Sequence, residues 1–144
     1  MQDVIYFVHQ NLFLTLAWVG TLAVLIGLEI KIRKFGPARL TTADLVELIN
    51  RKDALVFDLR PTTDFNKGHI GQSENFHLSE IHDTNVLLKK LEASKDRPIV
   101  LVCKDGMKSS QEAFKLKKNN IKQVGYLNGG VTAWMSEGLP TVSG

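Results

Sequence analysis

Residues 99–110 read IVLVCKDGMKSS, an apolar run that passes into a polar turn at Cys103, the only cysteine of the chain. A short apolar run followed by a turn and a helix start is typical of a buried strand in an α/β protein. The side chain that ends such a strand projects from the edge of the sheet, and the N–H groups of the turn point back at it. The first N–H groups of a helix are unpaired and carry partial positive charge, which favours a thiolate over a thiol. The stretch therefore predicts a nucleophilic Cys103, with Lys104 and Lys108 reinforcing the positive field and Asp105 opposing it.

Strand-like and helix-like segments alternate on both sides of this stretch, which predicts a mostly parallel sheet covered by helices on both faces. The predicted strands are residues 54–59, 99–102 and 124–127, with an extended piece near 74–76. The predicted helices are one capped by Thr41 or Thr42 with Leu45, Leu48 and Ile49 on one face, one at 87–93, one capped by Ser109 or Ser110 that runs through Leu116, and a last one at 131–136. Asn128-Gly129-Gly130 is predicted as a turn, and Trp134 is expected to pack the last helix on the sheet.

Composition excludes several classes of protein. The 144 residues are enough for one globular core, and 18 Lys+Arg against 15 Asp+Glu leave a net charge of only +3. Such a balance provides no large basic face, so we expect no nucleic-acid partner. A single cysteine excludes an intrachain disulfide and a Cys-x-x-Cys metal or redox pair. We accordingly predict no cofactor and no metal site.

The amino-terminal segment has a different composition from the rest of the chain. No charged residue occurs from Val4 to Leu28, and residues 12–28 read LFLTLAWVGTLAVLIGL. A bilayer core of about 30 Å requires roughly 20 apolar residues in a helix, so residues 4–28 are predicted to span a lipid bilayer. Residues 29–34, EIKIRK, follow with three cations, whereas Asp3 is the only charged side chain before the span. Cations favour the cytoplasmic side, which predicts a single-pass topology with the amino terminus outside.

Two alternatives to a membrane anchor remain open for this segment. A cleaved signal peptide requires a positive amino-terminal region and a small-residue cleavage site, and neither is present. A buried core helix is the other alternative, but an uncharged run of 25 residues is long for one. Gly36-Pro37 is expected to break the helix. The predicted domains are therefore residues 1–35, the transmembrane anchor with its basic flank, and residues 36–144, the soluble domain.

Three motifs of the soluble part together resemble the signatures of the rhodanese family. They are Asp58-Leu59-Arg60 followed by FNKGHI at 65–70, the loop from Cys103 to Lys108, and LNGGVTAW at 127–134 followed by Gly138-Leu139-Pro140. Their order and spacing match the family across residues 39–142. A single span before one such domain also resembles the membrane-anchored bacterial proteins of the YibN group. This resemblance implies a five-stranded parallel sheet with helices on both faces, in a protein of the bacterial inner membrane with its rhodanese domain in the cytoplasm.

The resemblance also implies a chemistry. A Cys103 thiolate would take sulfur from thiosulfate or a persulfide, become a persulfide itself, and pass the sulfur to an acceptor thiol. The implied active-site loop consists of Lys104, Asp105, Gly106, Met107, Lys108 and Ser109, whose amides would hold the anionic sulfur. Counted from the cysteine, the loop Cys103 to Lys108 has six residues, which favours sulfur, because a seventh accompanies phosphatase or arsenate reductase activity in this superfamily. Asp58 and Arg60 are expected to support the loop as an ion pair or anchor.

The residues leave a second function open. Many catalytic members of the family carry arginine at the position of Lys108, and lysine lacks the bidentate fork of arginine. Asp105 places a negative charge at the mouth of a site that should attract anions. These two features favour a membrane-tethered interaction module that binds a partner, such as a membrane protein, with little turnover. The intact cysteine and loop favour a sulfurtransferase.

Overall fold

The computed structural model describes residues 11–76 and 97–144, except for the side chains of residues 32–35. The chain divides into two compact units, Met1–Gly36 and Pro37–Gly144, and each is described by itself. The first part of the predicted span and the helix predicted at 87–93 lie outside the described residues.

One described helix of the first unit, α1 (Leu12–Phe35), fits the predicted membrane span. Its segment Leu12–Lys31 contains 20 residues with a mean hydropathy of 2.0, and at about 1.5 Å per residue it is as long as a bilayer core is thick. Large apolar side chains such as Phe13 and Trp18 are exposed along it, unlike those of a core helix. By length and composition this helix can cross a membrane, a test that signal sequences near the amino terminus also pass.

The second unit contains a five-stranded parallel sheet, as predicted. Its elements are β1 (Ala38–Leu40), α2 (Thr42–Lys52), β2 (Leu55–Asp58), α3 (Thr62–Lys67), β3 (His69–Ile70), β4 (Ser73–Asn75), β5 (Ile99–Val102), α4 (Met107–Lys118), β6 (Val124–Leu127), α5 (Gly130–Ser136) and β7 (Thr141–Val142). The strand order is β1-β6-β5-β2-β4, and β3 and β7 form a separate antiparallel pair. The predicted strands at 99–102 and 124–127 are confirmed in full.

The central strand β5 is buried on both faces, which explains its uninterrupted apolar sequence. Successive side chains of a strand point to opposite faces. Ile99 and Leu101 accordingly pack in a cluster that includes Ala113 and Leu116 of α4. Val100 and Val102 belong to a second cluster, on the other face, that includes Leu45 of α2 together with Val131 and Trp134 of α5. Helices therefore cover both faces of the sheet, and Trp134 packs as predicted.

Helix α2 begins with a capping box. The Thr41 hydroxyl accepts a hydrogen bond from the Asp44 amide at 3.2 Å, and the Asp44 carboxylate accepts one from the Thr41 amide at 2.8 Å. The Thr41 hydroxyl also donates to this carboxylate at 2.7 Å, and these two bonds from Thr41, the hydroxyl first, lower the pKa of Asp44 from its usual 3.8. Thr41 is thus the residue that caps this helix.

The start of α4 differs from the prediction. Neither Ser109 nor Ser110 caps this helix, which begins at Met107 after Gly106, a residue in the left-handed region at φ +87° that provides no side-chain cap. Ser109 lies instead in the first turn and is fully buried. The predicted serine cap was wrong because glycine makes the left-handed entry possible three residues earlier. Because the helix begins earlier than predicted, Ser109 lies beside Cys103 and not at the helix cap.

Candidate active site

Cys103 directly follows the last residue of the central strand β5, at the carboxyl edge of the sheet. Its side chain is only 3% exposed. Asp58 ends the neighbouring strand β2 and pairs in register with Val102. Because the carboxyl ends of parallel strands meet at one edge, the sheet brings the two predicted motifs of Asp58 and Cys103 to the same side of the domain.

Gly106 and Ser109 place three hydrogen-bonding groups around the sulfur of Cys103. The Gly106 and Ser109 amides donate to Sγ at 3.1 and 3.4 Å, and the Ser109 hydroxyl lies 3.3 Å from it. Two of these groups belong to the first turn of α4, where main-chain N–H groups lack helical partners and carry partial positive charge. The arrangement stabilises negative charge on the sulfur, whether it is a thiolate or a persulfide attached to it.

Asp105 places a carboxylate beside the thiol. Its Oδ1 lies 3.6 Å from Cys103 Sγ and accepts a hydrogen bond of 3.0 Å from the Met107 amide. That bond is the largest cause lowering the pKa of Asp105 from its usual 3.8. The carboxyl group is therefore ionised at neutral pH, and it uses one of the amides at the start of α4.

The remaining side chains of the loop point outward. Lys104, Met107 and Lys108 are all exposed, Met107 to 67%. The predicted loop thus separates into an inner part that holds the sulfur and a rim of two cations and one apolar side chain. The two lysines leave the mouth of the site with a positive charge that Asp105 partly offsets.

The start of α5 donates hydrogen bonds to the main chain of the cysteine loop. The carbonyl of Cys103 accepts a hydrogen bond from the Val131 amide at 2.9 Å, and that of Lys104 accepts one from the Thr132 amide at 3.0 Å and one from the Thr132 hydroxyl at 2.8 Å. Carbonyl and N–H point in opposite directions in a trans peptide. The bonds therefore turn the N–H groups of Lys104 and Asp105 away from α5. Sequence reasoning missed this support, for which the Gly129-Gly130 pair was the only signal.

Glycine at two positions makes this close approach possible. A Cβ on Gly130, at φ +58°, would lie 2.2 Å from the Cys103 carbonyl oxygen, and one on Gly106 would lie 2.9 Å from both the Gly129 nitrogen and the Leu127 oxygen. Since such distances are far inside van der Waals contact, the two loops pack main chain against main chain.

Asp58 and Arg60 form the predicted ion pair. Arg60 Nη2 lies 2.7 Å from Asp58 Oδ2, its Nε reaches both carboxylate oxygens at 3.0 Å, and its Nη2 also donates to the Gly68 carbonyl at 2.8 Å. The Asn75 side chain donates to the Arg60 carbonyl at 2.8 Å. Asp58 is 1% exposed, so the pair is internal. It joins the end of β2 to the segment before β3, one strand away from Cys103.

The fold and the site define an α/β protein with a cysteine loop at the carboxyl edge of a parallel sheet. A family model for the rhodanese-like domain matches residues 41–137. The chain is 38% identical over 144 residues to the uncharacterized protein YibN of Escherichia coli strain K12, an alignment that covers 100% of this chain and 99% of that protein. It is 30% identical over 95 residues to the thiosulfate sulfurtransferase GlpE of Pseudoalteromonas translucida, covering 66% of this chain and 86% of GlpE.

A solved structure agrees with these sequence matches. The crystal structure of a rhodanese-related protein from Thermoplasma volcanium superimposes with a TM-score of 0.60 at 26% identity, covering 73% of this chain and 97% of that one. This chain belongs to the rhodanese-like domain family. The resemblance seen in the sequence motifs, including that to the YibN group, is thereby confirmed.

Proposed function

We propose that this chain is a membrane-anchored sulfurtransferase that carries sulfane sulfur as a persulfide on Cys103. The observation that supports it most directly is the arrangement of Gly106, Ser109 and the start of α4 around the sulfur. In the proposed step the Cys103 thiolate attacks the outer sulfur of the donor. With thiosulfate, Cys–S⁻ and S–SO₃²⁻ give Cys–S–S⁻ and SO₃²⁻, so that one S–S bond forms as another breaks. An acceptor thiolate, R–S⁻, then takes the outer sulfur as R–S–S⁻ and restores the Cys103 thiolate.

Mass spectrometry of the intact protein tests this function. Full-length protein in nonionic detergent is incubated with thiosulfate or with an organic persulfide and then measured without reductant. We expect one added sulfur atom, which dithiothreitol removes, and none on Cys103→Ser, whose hydroxyl is scarcely ionised near neutral pH. Because Cys103 is the only cysteine, the added mass has one possible thiol site. A wild-type protein that gains no sulfur from either donor would refute the proposal.

We place residues 4–28 across the bacterial inner membrane, with the amino terminus outside and the rhodanese domain, residues 36–144, in the cytoplasm. The support is the apolar helix α1 and the three cations of residues 29–34. Protease added to intact spheroplasts should leave the domain whole, and it should degrade the domain after lysis. Degradation before lysis would reverse the orientation, and release of the domain from membranes by salt alone would refute the anchor.

A second function, a membrane-tethered interaction module, is favoured by the carboxylate of Asp105 near the thiol. Complementation of a deletion strain separates the two functions. A sulfurtransferase requires Cys103, whereas a docking surface should tolerate Cys103→Ser, because serine is close to cysteine in size. Full complementation by this variant would favour the module, and loss of complementation with normal protein levels would favour the enzyme.

A further inference from the structure

We infer that Asp105 sets the charge selectivity of the Cys103 site, disfavouring doubly charged sulfonate donors such as thiosulfate and favouring a protonated persulfide, R–S–SH. The inference rests on the proposed function, since it names the substrate class of the same site. It begins from the position of Asp105 Oδ1, 3.6 Å from the sulfur that must attack the donor.

The geometry of sulfur transfer brings the donor close to this carboxylate. The new S–S bond is about 2.05 Å long, so the transferred sulfur must enter the space immediately around Sγ. In thiosulfate the sulfonate group is bonded directly to that sulfur. Its two negative charges therefore come within a few ångströms of Asp105, where like charges repel appreciably even in partly solvated surroundings. For a protonated persulfide no formal charge accompanies the transferred sulfur.

Three of the loop amides are already in use. Those of Gly106 and Ser109 donate to Sγ itself, and that of Met107 donates to Asp105. A dianion approaching the start of α4 must compete with the carboxylate for the Met107 amide. Asp105 therefore acts as an internal anion at the place where the helix would otherwise attract an external one.

The charges of the loop lead to the same conclusion. Lys104 and Lys108 contribute two positive charges, while Asp105 and a Cys103 thiolate contribute two negative ones, so the reactive form of the loop is formally neutral. Lys104 interacts with Asp105 closely enough to contribute to its lowered pKa. Lys108 is a lysine, which cannot grip two sulfonate oxygens as a guanidinium does. The side-chain charges of the loop, Asp105 included, therefore give a doubly charged donor no net attraction.

Sulfur transfer from a protonated persulfide brings no additional charge to the mouth of the Cys103 site. The Cys103 thiolate attacks the terminal sulfur of R–S–SH, the R–S bond breaks, and the products are Cys–S–SH and R–S⁻. The proton stays on the transferred sulfur during this step.

The test uses Asp105→Asn, which keeps an oxygen for the Met107 amide and removes the charge. Its matched control is Asp53→Asn, the same change at an exposed residue directly after α2. Asp53 precedes the amino end of β2, so it lies at the edge of the sheet opposite to that of Cys103. Persulfide formation on the full-length protein is timed with thiosulfate, methanethiosulfonate and N-acetylcysteamine persulfide. The first two donors carry two charges and one.

Relative to its effect on the persulfide rate, we expect Asp105→Asn to raise the rate constant about tenfold for thiosulfate and about threefold for methanethiosulfonate. Asp53→Asn should change none of the three. A ratio of thiosulfate to methanethiosulfonate rates that is equal in wild type and Asp105→Asn would overturn the inference.

Alkylation of Cys103 tests the charge effect without any sulfur transfer. Asp105→Asn should raise the ratio of the iodoacetate rate to the iodoacetamide rate about threefold, because only iodoacetate carries a charge. An unchanged ratio overturns the inference by itself. Failure of the wild type to gain sulfur from all three donors would instead refute the proposed function, so the two failures are distinguishable.

Discussion

The carbonyl of Cys103 and the amide of Val131 are joined by a hydrogen bond of 2.9 Å, which ties the nucleophile loop to the first turn of α5. The neighbouring bond from Thr132 to the Lys104 carbonyl continues the same attachment. Helix α5 therefore helps to orient the amides of the loop. It does so through hydrogen bonds to main-chain carbonyls of the loop. Changes in α5 should consequently alter the reactivity of Cys103.

The first prediction concerns Gly130. In Gly130→Ala the new Cβ would meet the Cys103 carbonyl oxygen at 2.2 Å at a positive φ, so the loops must separate. We expect the free energy of unfolding to fall by about 3 kcal/mol and iodoacetamide alkylation of Cys103 to change. The control Gly138→Ala has φ +71° with nothing within 4 Å and should lose about 1 kcal/mol with normal alkylation. Urea unfolding in detergent and timed alkylation measure stability and Cys103 reactivity in both variants. Equal losses of stability in Gly130→Ala and Gly138→Ala would contradict the prediction.

The second prediction concerns the Thr132 hydroxyl, which donates to the Lys104 carbonyl. Thr132→Val keeps the shape and the amide but removes this bond, so we expect a loss of about 1 kcal/mol and an altered alkylation rate. Ser136→Ala removes an equally exposed bond on the same helix, to the Ala133 carbonyl, and should leave alkylation unchanged. Thr132→Ser should restore the wild-type rate. Normal alkylation of Thr132→Val would mean that the amide bonds suffice.

Much of the fold could be predicted because local patterns determine it. The strands at 99–102 and 124–127 lie inside a parallel sheet, where strands are largely buried on both faces and the sequence is correspondingly apolar. The helix that follows Thr41 was predictable from its cap and from the spacing of its apolar residues. These signals are contained within a few neighbouring residues.

The detailed geometry of the site could not be predicted in the same way. A serine near a helix start is ordinarily a cap, yet Ser109 is buried and its hydroxyl lies 3.3 Å from Cys103 Sγ. The support from Val131 and Thr132 joins segments far apart in sequence, largely through main-chain groups that every residue type carries. No pattern of side chains encodes such bonds. The glycine pair before α5 indicated a turn but not its partner.

The third prediction concerns the internal ion pair of Arg60 and Asp58. Arg60→Met would leave the buried Asp58 carboxylate without its guanidinium, and we expect a loss of about 3 to 5 kcal/mol in the free energy of unfolding. Arg51 pairs with Glu47 at 3.3 Å where both side chains are more than half exposed, so Arg51→Met should lose less than about 1 kcal/mol. Urea unfolding compares them. Similar losses would show that the internal pair is no more important than the surface pair.

The fourth prediction is a pH dependence at the start of α2. The folded-state pKa of Asp44 is lowered by Thr41, so its carboxylate stabilises the fold above the unfolded-state pKa, and this stabilisation disappears as pH falls through the lowered folded-state value. Wild type should therefore exceed Asp44→Asn in stability at pH 6, and the difference should shrink as the pH is lowered below 3.8. Thr41→Ala removes the hydroxyl, the largest cause, and should weaken the pH dependence. A difference that is constant from pH 6 to pH 2 would contradict the prediction.

The last prediction separates the role of Ser109 at the sulfur from its role in the fold. Ser109→Ala removes a buried hydroxyl that lies 3.3 Å from Cys103 Sγ and donates to the Gly106 carbonyl at 3.1 Å. We expect a loss of about 1 kcal/mol in stability and a fall of about tenfold in the rate of persulfide formation, because the attacking thiolate loses one of the three polar groups that Gly106 and Ser109 place around it. Both are measured on full-length protein, by urea unfolding and by timed mass spectrometry.

Ser110→Ala is the matched control, because Ser110 is the next residue of the same helix but is only half-buried. It should retain the wild-type rate of persulfide formation. If Ser109→Ala and Ser110→Ala formed the persulfide equally fast while only the first lost stability, the hydroxyl of Ser109 would serve the loop and not the sulfur. A selective fall in rate for Ser109→Ala, with the fold intact, would assign it to the stabilisation of the anionic sulfur together with the two amides.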